Sequence, residues 1–208
     1  MNKKTTIYDI ARALGVTVST VSRALNNVPT ISEATRKLVL DKAKELNYSV
    51  NKLASSLSSG KSNTIGVIVP TMQIHFFAEA VHSIEKELKK HNYSLLLYQS
   101  NESFEDEVNG VKTLLEAQVD GIIASLSLET QETSHFQEVI NQRKCLIIFD
   151  RTHKNIPAPV VKLDDFKAGY LATQHLIEQD YRNIAFITTD KEIAIFQDRF
   201  HGFEAALK

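Results

Sequence analysis

The chain has 208 residues, a net charge of −1 and 43% hydrophobic residues, which is the composition of a globular protein able to bury a core. No apolar run is long enough to span a bilayer, and a single cysteine, Cys145, excludes a disulfide framework and a zinc cluster. The start, MNKKT, is basic like that of a signal peptide. Asp9 and Arg12 then interrupt the apolar run that export requires, so we expect a cytoplasmic protein without a membrane partner.

The charge is divided unevenly along the chain. Residues 1–62 carry ten Lys or Arg against four Asp or Glu, a net charge of +6. Residues 63–208 carry fourteen against twenty-one, a net charge of −7. A basic head on an acidic body suggests a polyanion partner for the head alone, although a chance fluctuation in a solvated surface gives the same numbers.

The first 50 residues predict three short helices. Thr6 and Asp9 fit a capping box ahead of an apolar face at helical spacing, and Gly15 ends this first helix. Thr17 is a suitable cap for the second helix and Ser32 for the third. The residues predicted to face inward are Ile7, Ile10, Ala11, Leu14, Val21, Ala24, Leu25, Val39, Ala43 and Leu46.

The second helix, TVSTVSRALN (residues 17–26), has an unusual exposed side that lacks Glu and Lys. A helix, a glycine turn and a second helix form the helix-turn-helix layout, in which the second helix enters the major groove of DNA. Carboxylates are missing because phosphates would repel them. Arg23 suits guanine O6 and N7, and Val18 suits a thymine methyl. The alternative is a helical bundle whose polar face only meets water. The outward residues are Ser19, Thr20, Ser22, Arg23 and Asn26.

The composition changes after the third helix. Residues 51–63 read NKLASSLSSGKSN, a Ser-rich stretch with the composition of a linker. Its first part has a brief helical pattern, but one or two helical turns are not stable alone in water. We therefore predict a hinge here.

The remainder, residues 64–208, alternates between apolar runs and helical patterns. Runs that are apolar on both faces and separated by helices predict a parallel sheet covered on both sides, in an α/β fold. The predicted strands are 65–69, 94–98, 121–125, 145–149 (CLIIF, which would bury Cys145) and 184–187, with a short run, VVKL, at 160–163. The predicted helices lie near 76–91, 103–118, 130–143 and 166–179.

Several linked motifs strongly resemble the lac repressor/galactose repressor (LacI/GalR) family of transcription regulators. They are TIYDIARALGVTVSTVSRALNN, ISEATRKLVLDKAKELNY, IGVIVP, HFFAEAV, VDGIIAS, HLIEQDYRNIAFI and RFHGFEAAL, which together cover essentially the whole chain. The resemblance implies a repressor that binds a pseudo-palindromic operator as a homodimer and responds to a small molecule. The predicted DNA-binding residues are Thr6, Tyr8, Thr17, Val18, Ser19, Thr20, Ser22, Arg23, Asn26, Asn51 and Leu57.

The same resemblance defines the expected domains. Residues 1–50 form the helix-turn-helix domain and residues 51–63 the hinge. Residues 64–208 form a periplasmic-binding-protein-like Rossmann-type core, with a first lobe at 64–159 and a partial second lobe at 160–208. Because the chain stops at Lys208 inside a predicted helix while relatives continue, we expect an incomplete effector cleft.

The family's hinge inserts a leucine into the minor groove, and Leu57 is the matching residue. Such a wedge unstacks bases and gains a kinked duplex, but the same leucine would also suit packing against the partner subunit. The chain departs from the family where Val50 replaces Pro and Ser55 replaces Arg, which puts a hinge phosphate contact in doubt. Asn27 and Asp180 stand where Gly is usual, and both tolerate the left-handed conformation.

The resemblance also places a small ligand, such as a sugar, between two lobes of the body, at the carboxyl ends of the strands. Phe76, Phe77, Asp150 and Arg199 are the candidate contacts, since an aromatic face, a carboxylate and a guanidinium together suit a polyhydroxylated ligand. Each has an alternative: the phenylalanines as core, Asp150 as a loop cap, and Arg199 as a surface ion pair.

An enzyme has little support in the sequence. No GxGxxG or GxxxxGK[ST] motif is present, so a nucleotide would lack its phosphate loop, and no cofactor or metal is expected. A solute-binding protein with the same body fold and no DNA role is the remaining alternative. The basic head and the absence of a signal peptide favour the regulator.

Overall fold

The structure, a computed structural model, describes residues 5–49, 60–189 and 193–208. The chain divides into two compact units, Met1–Ser58 and Ser59–Lys208, which we call the head and the body. The predicted DNA contacts Asn51 and Leu57 lie outside the described residues, as do Val50 and Ser55.

Residues 5–49 of the head contain three helices, α1 (Ile7–Leu14), α2 (Val18–Leu25) and α3 (Glu33–Glu45), where the sequence predicts them. All three contribute to one apolar core, since Ile10 of α1, Val21 of α2 and Val39 of α3 have no exposed surface. Helices of 8 and 13 residues are marginal alone in water, so this shared core is what stabilises them.

Local hydrogen bonds fix the ends of the head helices. At α1 the Asp9 carboxylate accepts hydrogen bonds from the backbone N–H and the hydroxyl of Thr6, at 2.9 Å and 2.7 Å. At α2 the Thr17 hydroxyl oxygen accepts the N–H of Thr20 at 3.1 Å. Gly15 follows α1 with φ +65°, so the turn between α1 and α2 has the left-handed geometry that ends many helices.

The body is built on a five-stranded parallel sheet in the order β2-β1-β3-β4-β5. Its strands are β1 (Thr64–Val69), β2 (Ser94–Gln99), β3 (Gly121–Ala124), β4 (Cys145–Phe149) and β5 (Val160–Val161). Its helices are α4 (His75–Lys90), α5 (Phe104–Glu116), α6 (Ser134–Asn141), α7 (Asp165–Glu178) and α8 (Ala194–Ala206). Among the residues that the structure describes, no helix has the length and apolar character needed to cross a membrane.

Helices cover the sheet on both faces, as the doubly apolar strands predict. Val67 and Val69 of β1 point to one face and pack in a core with Phe77 of α4. Ile68, between them, points to the other face and packs in a larger core with Leu114 of α5. This alternation follows from the two-residue period of a strand.

One predicted strand is wrong. Residues 184–187, IAFI, form neither strand nor helix, and Ile187 is 96% exposed. A strand requires a hydrogen-bonded neighbour, and in the described part of the chain none pairs with this segment.

The run VVKL (160–163) also lies in a different part of the fold from the one predicted. Its first two residues form β5, the edge strand next to β4, although residue 160 was predicted to begin the second lobe. Val160 pairs with Ile148, which continues the first sheet beyond the predicted boundary at 159. Cys145 is exposed, not buried, because it begins β4 at the amino-terminal edge of the sheet.

Helices α7 and α8 cross at two glycines. A Cβ atom added to Gly169 of α7 would lie 2.1 Å from the backbone oxygen of Arg199. One added to Gly202 of α8 would lie 2.1 Å from the backbone oxygen of Phe166. Real Cβ atoms do not approach backbone oxygens so closely, so glycine is required at both positions.

Asn27 and Asp180, which stand where the resemblance leads us to expect glycine, both adopt the left-handed conformation. Asn27, after α2, has φ +57°, and Asp180, after α7, has φ +61°. Both are residue types whose short polar side chains tolerate this region, as the sequence predicts.

Candidate nucleic-acid interface and ligand cavity

The outer face of α2 is free of carboxylates. Ser19, Arg23 and Asn26 are exposed, and their spacing of four and three residues places them on one side of the helix. The opposite side is buried through Val21 and Ala24. The helix therefore presents a hydroxyl, a guanidinium and an amide to solvent.

Arg23 is available to bind a partner. Its side chain is exposed, and no described residue donates to it, accepts from it or forms an ion pair with it. An unpaired guanidinium breaks no internal ion pair when it binds a base edge. Its planar set of donors matches two acceptors of guanine.

The other predicted DNA-binding residues occupy different environments. Thr17 is exposed, and its hydroxyl lies 2.9 Å from that of Thr20, which is half-buried. Val18 is half-buried against the head core, so only part of its side chain is available to DNA. Tyr8 is 65% exposed on α1. Ser22 is half-buried, and Thr6 is exposed with its hydroxyl bonded to Asp9.

In the body, a cavity of about 360 Å³ lies beside α8. Arg199 and Phe196 of α8 line one side, and Leu128, which follows β3, lines another. Residues 186–189, the segment predicted as a strand, complete its wall. A cavity of this size, whose described lining is mainly apolar with the one charged group of Arg199, has the dimensions of a small-molecule site.

Asp150 and Arg199 are linked through Asp165, a residue that sequence reasoning missed. Arg199 Nε donates to Asp165 Oδ1 at 2.8 Å, and Asp165 is only 3% exposed at the start of α7. Arg199 therefore forms an ion pair, which is the alternative that the sequence left open for it. The pair is half-buried, and Arg199 still lines the cavity wall.

Asp150 ends β4 with φ +56° and is half-buried. Desolvation raises the pKa of its carboxyl, Arg151 opposes this, and the nearby Asp165 raises it further while Arg199 lowers it. No described residue donates a hydrogen bond to the Asp150 carboxylate. A partly desolvated acceptor with no donor is suited to bind ligand hydroxyls.

The two candidate phenylalanines differ. Phe76 is 46% exposed, whereas Phe77 is 2% exposed and lies in the core with its ring centroid 6.3 Å from that of Phe149. The Arg151 guanidinium lies 5.3 Å from the Phe77 ring centroid. The structure therefore places Phe77 in the core, the alternative that the sequence left open, because one side of α4 must cover the sheet.

A second missed residue, Glu102, joins three strand ends. Its Oε2 accepts the N–H of Leu128 at 2.9 Å and Nη1 of Arg151 at 2.6 Å. Glu102 has φ +64°, an uncommon conformation for a glutamate. Glu102 and Arg151 each follow an apolar run that forms a strand. The sequence therefore contained a signal for them, because residues just after parallel strands lie at the carboxyl edge of the sheet, where ligands bind.

Comparison with known proteins assigns both units to one family. Residues 6–51 match the family described as "Bacterial regulatory proteins, lacI family". Residues 62–208 match "Periplasmic binding proteins and sugar binding domain of LacI family". The chain belongs to the LacI family of bacterial regulatory proteins, which confirms the resemblance in its motifs.

Similar proteins include two curated regulators. The HTH-type transcriptional regulator DegA of Bacillus subtilis (strain 168) is 31% identical over 206 residues, and RegA of Clostridium saccharobutylicum is 35% identical over 205 residues. These matches cover 99% and 98% of this chain but 61% of each relative, so the chain spans less than two thirds of their length.

The fold is shared with a solved structure, the lac repressor dimer bound to operator and the anti-inducer ONPF. The TM-score is 0.83 at 24% identity, covering 99% of this chain and 62% of that chain. This similarity confirms the predicted fold class, a helix-turn-helix head followed by a periplasmic-binding-protein-like parallel sheet.

Proposed function

We propose that the chain carries the DNA-reading head and part of the ligand-binding body of a transcriptional repressor. In this proposal α2 enters the major groove, two copies of the chain bind a pseudo-palindromic operator, and a small polyhydroxylated molecule bound by the body controls the affinity. Such a regulator acts on the chromosome in the cytoplasm.

The observation that carries the proposal is the outer face of α2. It carries an exposed Arg23 whose side chain has no partner among the described residues. Around it lie hydroxyl and amide groups and no carboxylate. A helix selected only to meet water would tolerate carboxylates, whereas a helix placed between phosphates would not. The net charge of +6 over residues 1–62 supports the same partner.

The ligand proposal rests on the cavity beside α8 and on Asp150. Arg199 supplies hydrogen-bond donors, and the Asp150 carboxylate supplies an acceptor whose hydrogen-bonding capacity is unused by the described residues. Exposed Phe76 offers an apolar face for a sugar ring. The family description of residues 62–208 as a sugar-binding domain supports this class of ligand.

Replacing Arg23 tests the reading of bases. We expect Arg23→Ala to weaken binding to a duplex selected by the protein from a random pool by about 1–3 kcal/mol, and to weaken binding to random duplexes much less. Fluorescence anisotropy at fixed ionic strength, on both duplexes, measures the ratio.

Lys37→Ala is the matched control, because Lys37 is exposed on α3 and its loss changes the head charge equally. This control should change both affinities alike. An unchanged selected-to-random ratio in Arg23→Ala would show that Arg23 does not read bases. Failure of the wild-type protein to bind any duplex at low salt would favour a solute-binding protein.

A further inference from the structure

Leu128 reaches the wall of the cavity beside α8 from the loop that follows β3. Two carboxylates hold the backbone of this loop. Glu107 accepts the N–H of Ser127 at 2.6 Å, and Glu102 Oε2 accepts the N–H of Leu128 itself at 2.9 Å. Neither glutamate is among the described residues that line the cavity, so both act on its wall from behind.

Glu102 joins the carboxyl ends of four strands. It follows β2, its N–H donates to the carbonyl oxygen of Pro70 after β1 at 3.2 Å, and its Oε2 binds Leu128 after β3. The same oxygen accepts Nη1 of Arg151, after β4, at 2.6 Å. The Arg151 side chain is 6% exposed, and removing the counter-ion of a buried guanidinium is strongly unfavourable. This ion pair therefore fixes the Glu102 carboxylate and, with it, the N–H of Leu128.

The backbone conformation of Glu102 does not favour a glutamate. Its φ is +64°, in the left-handed region, where glycine and asparagine are more stable than a long side chain. The preceding residue, with φ +52°, is an asparagine. The contacts that the Glu102 carboxylate makes with Leu128 and Arg151 offset this conformational cost, so the side chain accounts for a glutamate at this position.

We propose that Glu102 is a positioning residue of the ligand site. Its carboxylate holds Leu128 at the cavity wall and thereby sets the width of the cavity between Leu128 and Arg199. This inference rests on the proposed function, in which the cavity beside α8 binds the controlling molecule. Leu128 supplies the apolar contact with that molecule, and Glu102 acts only through Leu128.

Three variants separate this role from a contribution to stability alone. Glu102→Asn suits the backbone but shortens the side chain by one carbon, which withdraws the acceptor from Leu128. Glu102→Gln keeps the length and one acceptor oxygen, so it should preserve the hydrogen bond to Leu128. Asp120→Ala is the matched control, because the Asp120 carboxylate also accepts backbone N–H groups, those of Ser62 and Asn63, at 2.8 Å and 2.9 Å, but before β1, at the opposite edge of the sheet.

Amide hydrogen exchange of the full chain, followed by NMR, measures the hold on the loop. In Glu102→Asn the N–H of Leu128 should exchange at least about tenfold faster, because a hydrogen bond to a charged acceptor is lost. In Glu102→Gln it should exchange at nearly the wild-type rate. Asp120→Ala should accelerate exchange at Ser62 and Asn63 and leave the rate at Leu128 unchanged.

A tryptophan in the cavity wall reports how open the cavity is. The chain has no tryptophan, so Phe196→Trp introduces a single indole there, and acrylamide, a small neutral amide, is the quenching probe. In this background Leu128→Ala should raise the quenching constant, and Glu102→Asn should raise it to a similar level. Glu102→Asn added to Leu128→Ala should raise it no further, because the side chain that Glu102 positions is already absent. Asp120→Ala should leave the constant unchanged.

Unchanged quenching in Glu102→Asn, additive effects of Glu102→Asn and Leu128→Ala, or an equal effect of Asp120→Ala would each overturn the positioning role. If Glu102→Asn does not fold because Arg151 is left unpaired, adding Arg151→Met removes the buried charge, and the same comparisons apply to that double variant. These measurements use neither DNA nor a sugar, so their failure is distinct from a failure of the proposed repressor function.

Discussion

Asp150 combines a proposed role in ligand binding with a cost to folding. Its carboxylate is half-buried at the carboxyl edge of the sheet, and desolvation together with Asp165 raises its pKa, against the opposing effect of Arg151 and Arg199. A carboxylate that is harder to ionise in the folded protein than in the unfolded chain opposes folding wherever it is charged. A role in binding is a physical reason to keep such a group.

Asp150→Asn should therefore stabilise the protein at neutral pH. The raised folded-state pKa means that the ionised group opposes folding above that pKa, and the penalty disappears as the pH falls towards the unfolded value of about 3.9. Asparagine also tolerates the φ of +56° at this position. We expect a melting temperature about 2 °C or more higher at pH 7, with no gain near pH 3.5, in thermal unfolding followed by circular dichroism.

Asp198→Asn is the control, since among the described residues Asp198 pairs with Lys162 alone, at 3.3 Å and at a partly exposed site. It should change the melting temperature by less than about 1 °C. A lower melting temperature for Asp150→Asn at pH 7 would contradict the assigned direction of the pKa shift.

At the scale of single residues, the sequence identified ends of elements better than contacts between them. Thr17 as a cap and Asn27 as a left-handed residue were predictable because both depend on neighbours in the chain. Asp165 was missed because its partner, Arg199, is 34 residues away in sequence. Phe76 and Phe77 were separable only once the face of α4 against the sheet was known.

At the scale of elements, the crossing of α7 and α8 fixes the position of Arg199, the proposed ligand contact. Gly169 contacts the backbone of Arg199 itself, and Gly202 contacts the backbone of α7. The two helices thus approach at backbone distance, and the position of Arg199 is set by this crossing and by its bond to Asp165.

Gly202→Ala should separate the two helices. The added methyl would lie 2.1 Å from the Phe166 oxygen and 2.7 Å from the Tyr170 nitrogen, both backbone atoms that move only with the helix. We expect a loss of about 1–3 kcal/mol in the free energy of unfolding, measured in urea, together with weaker sugar binding. His201→Ala, at the exposed neighbouring position, should cost less than about 0.5 kcal/mol. Equal losses in the two variants would refute the close crossing.

The elements themselves were largely predictable, with one instructive failure. The first four body strands and the helices between them follow from apolar runs and helical periodicity, which are local patterns. IAFI at 184–187 has the same apolar pattern but pairs with no strand in the described part of the chain, so an apolar run alone was insufficient. The first two residues of VVKL pair with β4, because strand pairing depends on which sheet edge is free. No local sequence pattern shows which edge is free.

At the scale of the whole molecule, the proposed operator symmetry requires two heads held together. Strand β2 is an edge of the sheet, and Leu96 and Leu97 on it are 39% and 38% exposed. An edge strand with exposed leucines is a surface that a second subunit covers favourably. We infer that β2 contributes to the interface of the proposed homodimer.

Leu97→Asp should accordingly weaken self-association. Burying a carboxylate in an apolar interface is unfavourable, so we expect the dissociation constant of the dimer to rise at least about tenfold, in sedimentation velocity over a concentration series. Val161→Asp is the matched control, because Val161 is an exposed apolar residue on β5, the opposite edge. It should leave the dissociation constant unchanged. If Val161→Asp dissociates the dimer and Leu97→Asp does not, the interface lies at the other edge.

The glycine crossing also bears on how the specificity of the proposed ligand site can change. The backbones of α7 and α8 touch at Arg199, so repacking of side chains cannot move its guanidinium. Substitution of Gly169 or Gly202 would therefore abolish ligand recognition and not merely change its specificity. Leu128 and Phe196, on the same cavity wall, are free of this constraint. If the proposed site is right, directed evolution towards a new ligand should accumulate substitutions around Arg199 while the arginine and its two supporting glycines persist.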